Sequence, residues 1–214
     1  MQFLLIFLAA AALTFVGERL MRWQLQRQQD LLAEWGEVVS LPVCKPWLFF
    51  LLSAVCLWLG WRLPVALAGK LLGCVFLYLL LLIGIIDARC RFIFDDSNII
   101  LGILGLLATP ILPASLPEQA GGAVIGFVIM FVLSMLGRGV MGGGDIKLVA
   151  ILGWWLGMHA LPTLLCVGFM LGGVGAVCVL LFTKKGRKDT FAFGPYLIFG
   201  AVLAWLLQAG RWGI

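Results

Sequence analysis

The chain of 214 residues is 63% hydrophobic and only 12% charged, and its formal net charge is +5. This composition excludes an ordinary soluble domain and is typical of an all-α, polytopic membrane protein surrounded by lipid. In so apolar a chain, basic residues are expected to set the membrane topology rather than bind phosphate, so no nucleic-acid partner is expected. One membrane-embedded domain is predicted over residues 1–214.

Eight apolar stretches predict a bundle of about eight transmembrane helices. They lie at residues 3–16, 47–61, 63–86, 98–113, 120–136, 146–158, 160–182 and 191–208. Several are shorter than the roughly 20 residues with which a straight helix crosses the hydrocarbon, so the helices are expected to extend into flanking polar residues. The first stretch lacks the basic start and cleavage site of a signal peptide, and it is expected to remain as a span.

The connections between these stretches predict the orientation of the chain. The first, at residues 17–45, mixes charges with leucines at helical spacing, which predicts a short amphipathic loop on the membrane surface. The odd-numbered connections hold four, two, one and four Lys or Arg residues, whereas the even-numbered connections hold only Arg62. Because basic loops stay in the cytoplasm, the odd-numbered connections are predicted to be cytoplasmic and both termini external.

Two aspartates adjoin apolar runs on the predicted cytoplasmic side. Asp87 directly follows the third stretch, and Asp145 stands between three glycines and the sixth stretch. An ionisable residue at membrane depth is a functional-site hypothesis, and the alternative for Asp145 is a helix N-cap. Capping of the fourth stretch is the interpretation for three other polar residues, namely Asp95, Asp96 and Ser97.

Paired carboxyl groups would permit two kinds of function. Two carboxylates brought close cannot both ionise cheaply, so one keeps a proton while the other stays charged. The charged member can deprotonate water for attack on a peptide carbonyl, and the protonated member can donate to the leaving nitrogen. A transporter could use the same acids as proton or cation sites. No metal site is expected, because His159 is the sole histidine and the cysteines form no C-x-x-C pair.

Three motifs resemble those of the type IV prepilin peptidases, the aspartic intramembrane proteases with a G-x-G-D motif. Residues 142–148, Gly-Gly-Gly-Asp-Ile-Lys-Leu, resemble the signature G-x-G-D-x-K-L. Residues 87–95 are similar to the family's first aspartate motif, with Phe94 in place of a proline. Phe193-Gly194-Pro195 resembles the motif of the last span. The resemblance covers roughly residues 85–200.

The resemblance implies roles for particular residues. Asp87 and Asp145 would be the catalytic pair, and Gly142 and Gly144 would hold the approach to the scissile backbone. Supporting roles would fall to two further motif residues, Asp95 and Lys147. The implied reaction is cleavage of the basic leader from prepilins or pseudopilins of type IV pili or type II secretion, at the cytoplasmic face of the bacterial inner membrane and without a cofactor.

Two departures from the family pattern narrow the prediction to a short form. Larger members carry zinc-binding C-x-x-C pairs in a long first loop and methylate the new N-terminus with S-adenosylmethionine, but the first loop here is short and holds only Cys44. The family's F-x-N-x-x-x-x-R element keeps Phe15 and Arg22 with Gly17 in place of Asn. Cleavage is therefore predicted, and S-adenosylmethionine would be needed only if methylation is retained.

Two alternatives to the peptidase remain at this point. An inactive assembly subunit would be expected to have lost one of the acids, and a transporter would be expected to show repeated, interrupted helices in both halves. Neither expectation is met by the sequence, and no feature of it indicates an oligomeric state.

Overall fold

The computed structural model describes residues 2–27, 45–62, 66–137, 141–182 and 192–208. Over these ranges the elements are helices: α1 Gln2–Arg27, α2 Pro46–Trp61, α3 Leu67–Cys90, α4 Asp95–Ala108, α5 Leu116–Leu136, α6 Gly143–Leu156, α7 Leu161–Phe182 and α8 Gly194–Leu207. Each of the eight predicted stretches corresponds to one of these helices. The all-α prediction is confirmed.

Helix α1 continues beyond its predicted end. It passes through Gly17 without a break and ends at Arg27, so the start of the predicted loop at residues 17–45 is wrong. The polar part remains helical because Met21 and Leu25 are buried, while Arg22 and Glu18 form an exposed i,i+4 ion pair of 3.5 Å. The rest of the predicted amphipathic loop, residues 28–44, lies outside the described residues.

The predicted caps of α4 and α6 are also corrected. Helix α4 begins at Asp95 with Phe94 as its N-cap, so Asp95 and Asp96 lie inside the first turn. Helix α6 has Gly142 as its N-cap, which places Asp145 in the first turn rather than at the cap. Neither cap residue makes a side-chain cap hydrogen bond. The acidic residues instead occupy a position where the helix dipole favours negative charge.

The helices differ in whether they can cross a membrane. Within the described ranges, three are long and apolar enough by length and composition: Leu67–Cys90, Leu116–Leu136 and Leu161–Val179. Helices α4 and α6 have 14 residues each, a rise of about 21 Å at 1.5 Å per residue, which is less than the ~30 Å hydrocarbon core. Among the described residues, the protein thus combines helices long and apolar enough to cross a membrane with shorter ones.

The chain divides into two compact units, Met1–Cys90 and Arg91–Ile214. In the first unit α1, α2 and α3 contact one another. The Tyr78 hydroxyl of α3 donates a hydrogen bond of 2.6 Å to the Leu13 carbonyl of α1, and the Phe49 ring of α2 lies 6.4 Å from the Tyr78 ring. The expectation of one domain over residues 1–214 stays a prediction.

Helix α6 is the core of the second unit, where it contacts α4, α5, α7 and α8. Its apolar side chains point in several directions, which is typical of a buried helix, and those of Leu148, Val149, Leu152 and Trp155 are fully buried. The indole N–H of Trp155 donates a 3.0 Å hydrogen bond to the Leu101 carbonyl of α4. Neighbours on several sides therefore hold in place the helix that carries Asp145.

Candidate active site

Asp145 lies in the first turn of α6 and is partly exposed. This first turn follows an extended residue, the N-cap Gly142, which has φ −65° and ψ 143°. Unsatisfied backbone N–H groups at a helix start carry partial positive charge, so this position stabilises a carboxylate. Asp145 is thus a carboxyl group in a favourable electrostatic position, on a helix whose other end is buried.

The three glycines before Asp145 have different surroundings. A Cβ atom on Gly144 would lie 2.9 Å from both the Cβ and the carbonyl oxygen of Ile93. A Cβ atom on Gly142 would lie 3.3 Å from Oδ2 of Asp145, whereas one on Gly143 would meet nothing within 4 Å. These surroundings account for a motif that specifies its first and third residues as glycine and leaves the second open. The role of Gly142 and Gly144 toward a scissile backbone remains a prediction.

Asp95 and Lys147 form a direct ion pair. The ammonium of Lys147 lies 2.7 Å from Oδ1 and 2.9 Å from Oδ2 of Asp95. The two side chains are 60% and 54% exposed respectively, so the pair contributes little to the free energy of unfolding. The pair joins the first turn of α4 to the second turn of α6. The two helices therefore begin at the same end of the second unit, as the predicted alternation of spans requires.

Asn98 is a residue of this site that the sequence reasoning missed. It lies in α4, is 2% exposed, and its Nδ2 donates a 3.2 Å hydrogen bond to the carbonyl oxygen of Gly144. A polar residue directly before the apolar run Ile99-Ile100-Leu101 was the available signal. The residues that meet at the start of α6 are Ile93, Asp95, Asn98, Gly144 and Lys147.

Asp87 belongs to the first unit and lies in the last turn of α3. It is 3% exposed, and Ile86 and Cys90 beside it are also buried. Burial and the negative end of the helix dipole both act against a carboxylate there. A carboxyl group so placed in an apolar helix is expensive for stability alone, which keeps it a functional-site candidate. Its association with Asp145 stays a prediction.

Phe94 occupies the position at which the family motif has proline. Its backbone angles are φ −70° and ψ 137°, which proline adopts without strain. Its ring is buried and contacts Phe92 edge to face, with the ring centroids 5.6 Å apart. The backbone conformation of the motif is therefore kept, and a buried aromatic ring takes the place of the pyrrolidine.

Gly17 occupies the position at which the family element has Asn. A Cβ atom there would overlap the hydroxyl oxygen of Tyr78 and would lie 2.6 Å from Cζ of Phe49. The space that an asparagine side chain would need is filled by these two aromatic residues. The departure is thus matched by local packing in the first unit, where the Tyr78 hydroxyl supplies a polar group.

The Phe193-Gly194-Pro195 motif starts α8. Phe193 is the N-cap residue and a proline stands in the first turn, a position that suits its fixed φ and missing N–H. The Phe193 ring lies 5.4 Å from the ring of Phe169 on α7, and a side chain on Gly172 would overlap it. The motif therefore joins α7 to α8. The basic connection that precedes it, residues 183–191, lies outside the described residues.

His159 is remote from Asp145, as predicted. Its Nε2 atom lies 3.2 Å from Oε1 of Glu118, beyond the end of α6 at Leu156. The 14 residues of α6 separate it from the first turn by about 21 Å. Across the described part of the chain, no three His, Cys, Asp or Glu residues are grouped so that they could hold a metal ion.

The fold and the site define a polytopic helical membrane protein with an aspartate on a glycine turn and a second, buried aspartate at a helix end. Residues 74–177 match the model of the type IV leader peptidase family. This segment contains all six residues singled out as catalytic or supporting: Asp87, Asp95, Gly142, Gly144, Asp145 and Lys147. The matched segment belongs to the type IV leader peptidase family, which confirms the resemblance.

Several curated relatives are similar to this chain, and each is named prepilin leader peptidase/N-methyltransferase. The protein of Dickeya chrysanthemi is 31% identical over 161 residues, 71% of this chain and 55% of the relative. That of Neisseria gonorrhoeae is 34% identical over 142 residues, 63% of this chain and 47% of the relative. That of Bacillus subtilis (strain 168) is 30% identical over 135 residues, 62% of this chain and 54% of the relative.

The chain spans about half the length of these curated relatives. No solved structure matches it. The similarity therefore rests on sequence, and the family match over residues 74–177 includes the two aspartates and the glycine turn.

Proposed function

We propose that this protein is an aspartic endopeptidase that removes the basic leader peptide from type IV prepilins or pseudopilins. The observation that carries the proposal is the family match over residues 74–177, which includes both Asp87 and Asp145. The setting of Asp145 supports it, because the glycine turn and the start of α6 hold this carboxyl group in a defined position.

In the proposed reaction the two carboxyl groups divide the proton transfers. A carboxylate removes a proton from water, which attacks the scissile carbonyl, and a carboxylic acid donates a proton to the leaving nitrogen. The dipole of α6 favours negative charge on Asp145, whereas that of α3 opposes it on Asp87. This difference suits Asp145 as the base and Asp87 as the acid.

The proposed location is the inner membrane of a bacterium, with both acids at the cytoplasmic side. The support comes from the basic odd-numbered connections, which the positive-inside rule assigns to the cytoplasm. Asp87 begins the third connection and Asp145 ends the fifth, so one side would hold both. A prepilin whose apolar helix lies in the membrane would present its basic leader on that side.

The test is co-expression with candidate prepilins in a host that lacks its own prepilin peptidase. We expect the mass of each true substrate to fall by the mass of its leader, with a new N-terminus at the cleavage site. An Asp145→Asn variant present in the membrane at the same level is the matched control. Prepilins that remain full-length with the wild-type protein would contradict the proposal.

The proposed lack of a cofactor is tested by the same mass spectra, which show methylation, and by a chelator assay. We propose that cleavage needs no cofactor and no metal, and that the mature N-terminus is methylated poorly or not at all. The purified enzyme should keep its cleavage activity after treatment with a strong chelator. A stoichiometric gain of one methyl group, or activity that is lost with the chelator and restored by zinc, would refute the corresponding part.

A further inference from the structure

Asn98 holds the peptide group that precedes Asp145. Its Nδ2 atom donates to the carbonyl oxygen of Gly144 at 3.2 Å, and this carbonyl forms one rigid, planar unit with the backbone nitrogen of Asp145. A displacement of that oxygen therefore displaces the start of the Asp145 residue. Among the contacts at this turn, the Asp95–Lys147 pair is exposed, whereas Asn98 is 2% exposed.

The hydrogen bonding of Asn98 is a poor arrangement for stability. Its Oδ1 atom is buried and has no hydrogen-bond partner among the described residues. One amide hydrogen bond contributes about 0.5–1.5 kcal/mol, while a buried polar atom left unsatisfied costs about 1–3 kcal/mol. A leucine, which has the same number of side-chain heavy atoms as asparagine, would leave no buried polar atom unsatisfied at this position. The asparagine at this position therefore calls for an explanation other than stability.

Gln208 makes the same kind of contact at the opposite end of α6. Its Nε2 donates a 2.8 Å hydrogen bond to the carbonyl oxygen of Leu156, the last residue of the helix. It is also buried, at 7% exposure, and its Oε1 lacks a hydrogen-bond partner among the residues described. The two amides are thus chemically matched, but only Asn98 holds the end that carries Asp145.

We propose that Asn98 is a positioning residue for the peptidase reaction, which sets the orientation of Asp145 through the Gly144 carbonyl. Two further contacts define the same turn: the close approach of Gly144 to Ile93 and the Asp95–Lys147 pair. Asn98 supplies the directional contact, because a hydrogen bond weakens steeply when its angle changes. This inference rests on the proposed function.

The test compares Asn98→Leu with Gln208→Leu in purified enzyme acting on a prepilin. Each variant removes a buried amide that donates a hydrogen bond to a carbonyl oxygen at one end of α6. We expect Asn98→Leu to lower kcat by about tenfold or more, because displacement of a reacting group by about 1 Å can cost a hundredfold. KM should change much less, and the midpoint of thermal unfolding should not fall. Gln208→Leu should leave kcat within about threefold of the wild type.

A second pair of variants keeps the test decisive if Asn98→Leu does not accumulate. Asn98→Thr retains a hydrogen-bond donor. Asn98→Val has the same shape as the Thr variant but no donor, so the Thr variant should have the higher kcat. Equal kcat for Thr and Val, or equal loss with Asn98→Leu and Gln208→Leu, would show a merely structural role and overturn the inference. A wild-type enzyme that cleaves no prepilin would instead contradict the proposed function.

Discussion

Asp87 and Asp145 lie at opposite ends of their helices, and different kinds of contact define their surroundings. Asp87 is in the last turn of α3, a 24-residue apolar helix, and its burial follows from the helix that contains it. Asp145 is in the first turn of α6, and contacts from residues distant in the chain define its turn. Changes around Asp145 should thus alter its position, whereas changes in the first unit at residues other than Asp87 should alter stability.

The largest expected effect comes from removing either carboxyl group. Asp87→Asn and Asp145→Asn keep the side-chain shape and remove the proton chemistry. Each should lower prepilin cleavage by at least about a hundredfold, because positioned acids and bases contribute ~10²–10⁴-fold. The measurement is the rate of leader removal at equal amounts of enzyme in the membrane.

Asp96→Asn is the matched control for the two acids. It changes a neighbouring carboxylate in the first turn of α4, and it should retain most of the activity. If either Asp87→Asn or Asp145→Asn processed prepilin at the normal rate, an aspartic pair could not be the catalytic machinery.

The next effect separates the glycines of the turn. Gly144→Ala places a methyl group against the Cβ and carbonyl oxygen of Ile93. Such overpacking forces the backbone to shift and lowers the free energy of unfolding by about 1–3 kcal/mol. Because Asp145 follows directly, kcat should fall by about tenfold or more. Gly143→Ala meets nothing within 4 Å and should be nearly neutral. Equal kcat for the two variants would contradict this account of the motif.

The first unit should respond in stability to a substitution at Gly17. Gly17→Asn restores the residue type of the family element, but its side chain would overlap Tyr78 and Phe49. Overpacking of this kind destabilises by about 1–3 kcal/mol, so the midpoint of thermal unfolding in detergent should fall. Gly173→Ala, where a Cβ atom meets nothing within 4 Å, is the control. An unchanged midpoint for Gly17→Asn would show that the aromatic residues move aside readily.

The smallest effect is expected at the ion pair between Asp95 and Lys147. Both side chains are more than half exposed, and exposed pairs have coupling energies of about 0.2–1 kcal/mol. A double-mutant cycle with Asp95→Ala and Lys147→Ala, read out by the free energy of unfolding, should fall in this range. A coupling energy of several kcal/mol would mean that the ion pair is a major stabilising contact of the turn.

The sequence was sufficient for the helices and for the residues of the motifs, because long apolar stretches and an ionisable residue beside them are local signals. The end of α1 was misplaced because the apolar run ends at Val16 and charged residues follow it, whereas the helix continues to Arg27 with Met21 and Leu25 buried. The caps were misassigned because Phe94 and Gly142 cap their helices without a side-chain hydrogen bond. Asn98 was missed because its partner lies 46 residues away.

The crossing of α5 and α6 limits how the second unit can move. Gly122 and Gly153 meet there so closely that a Cβ atom on either would overlap the carbonyl oxygen of the other. A slide of α6 by one turn, about 5.4 Å, would bring a larger residue such as Val149 to the crossing. The α5–α6 pair is therefore expected to move as one rigid body, so that in the proposed protease any motion accompanying the binding of a peptide at Asp145 would come from other segments.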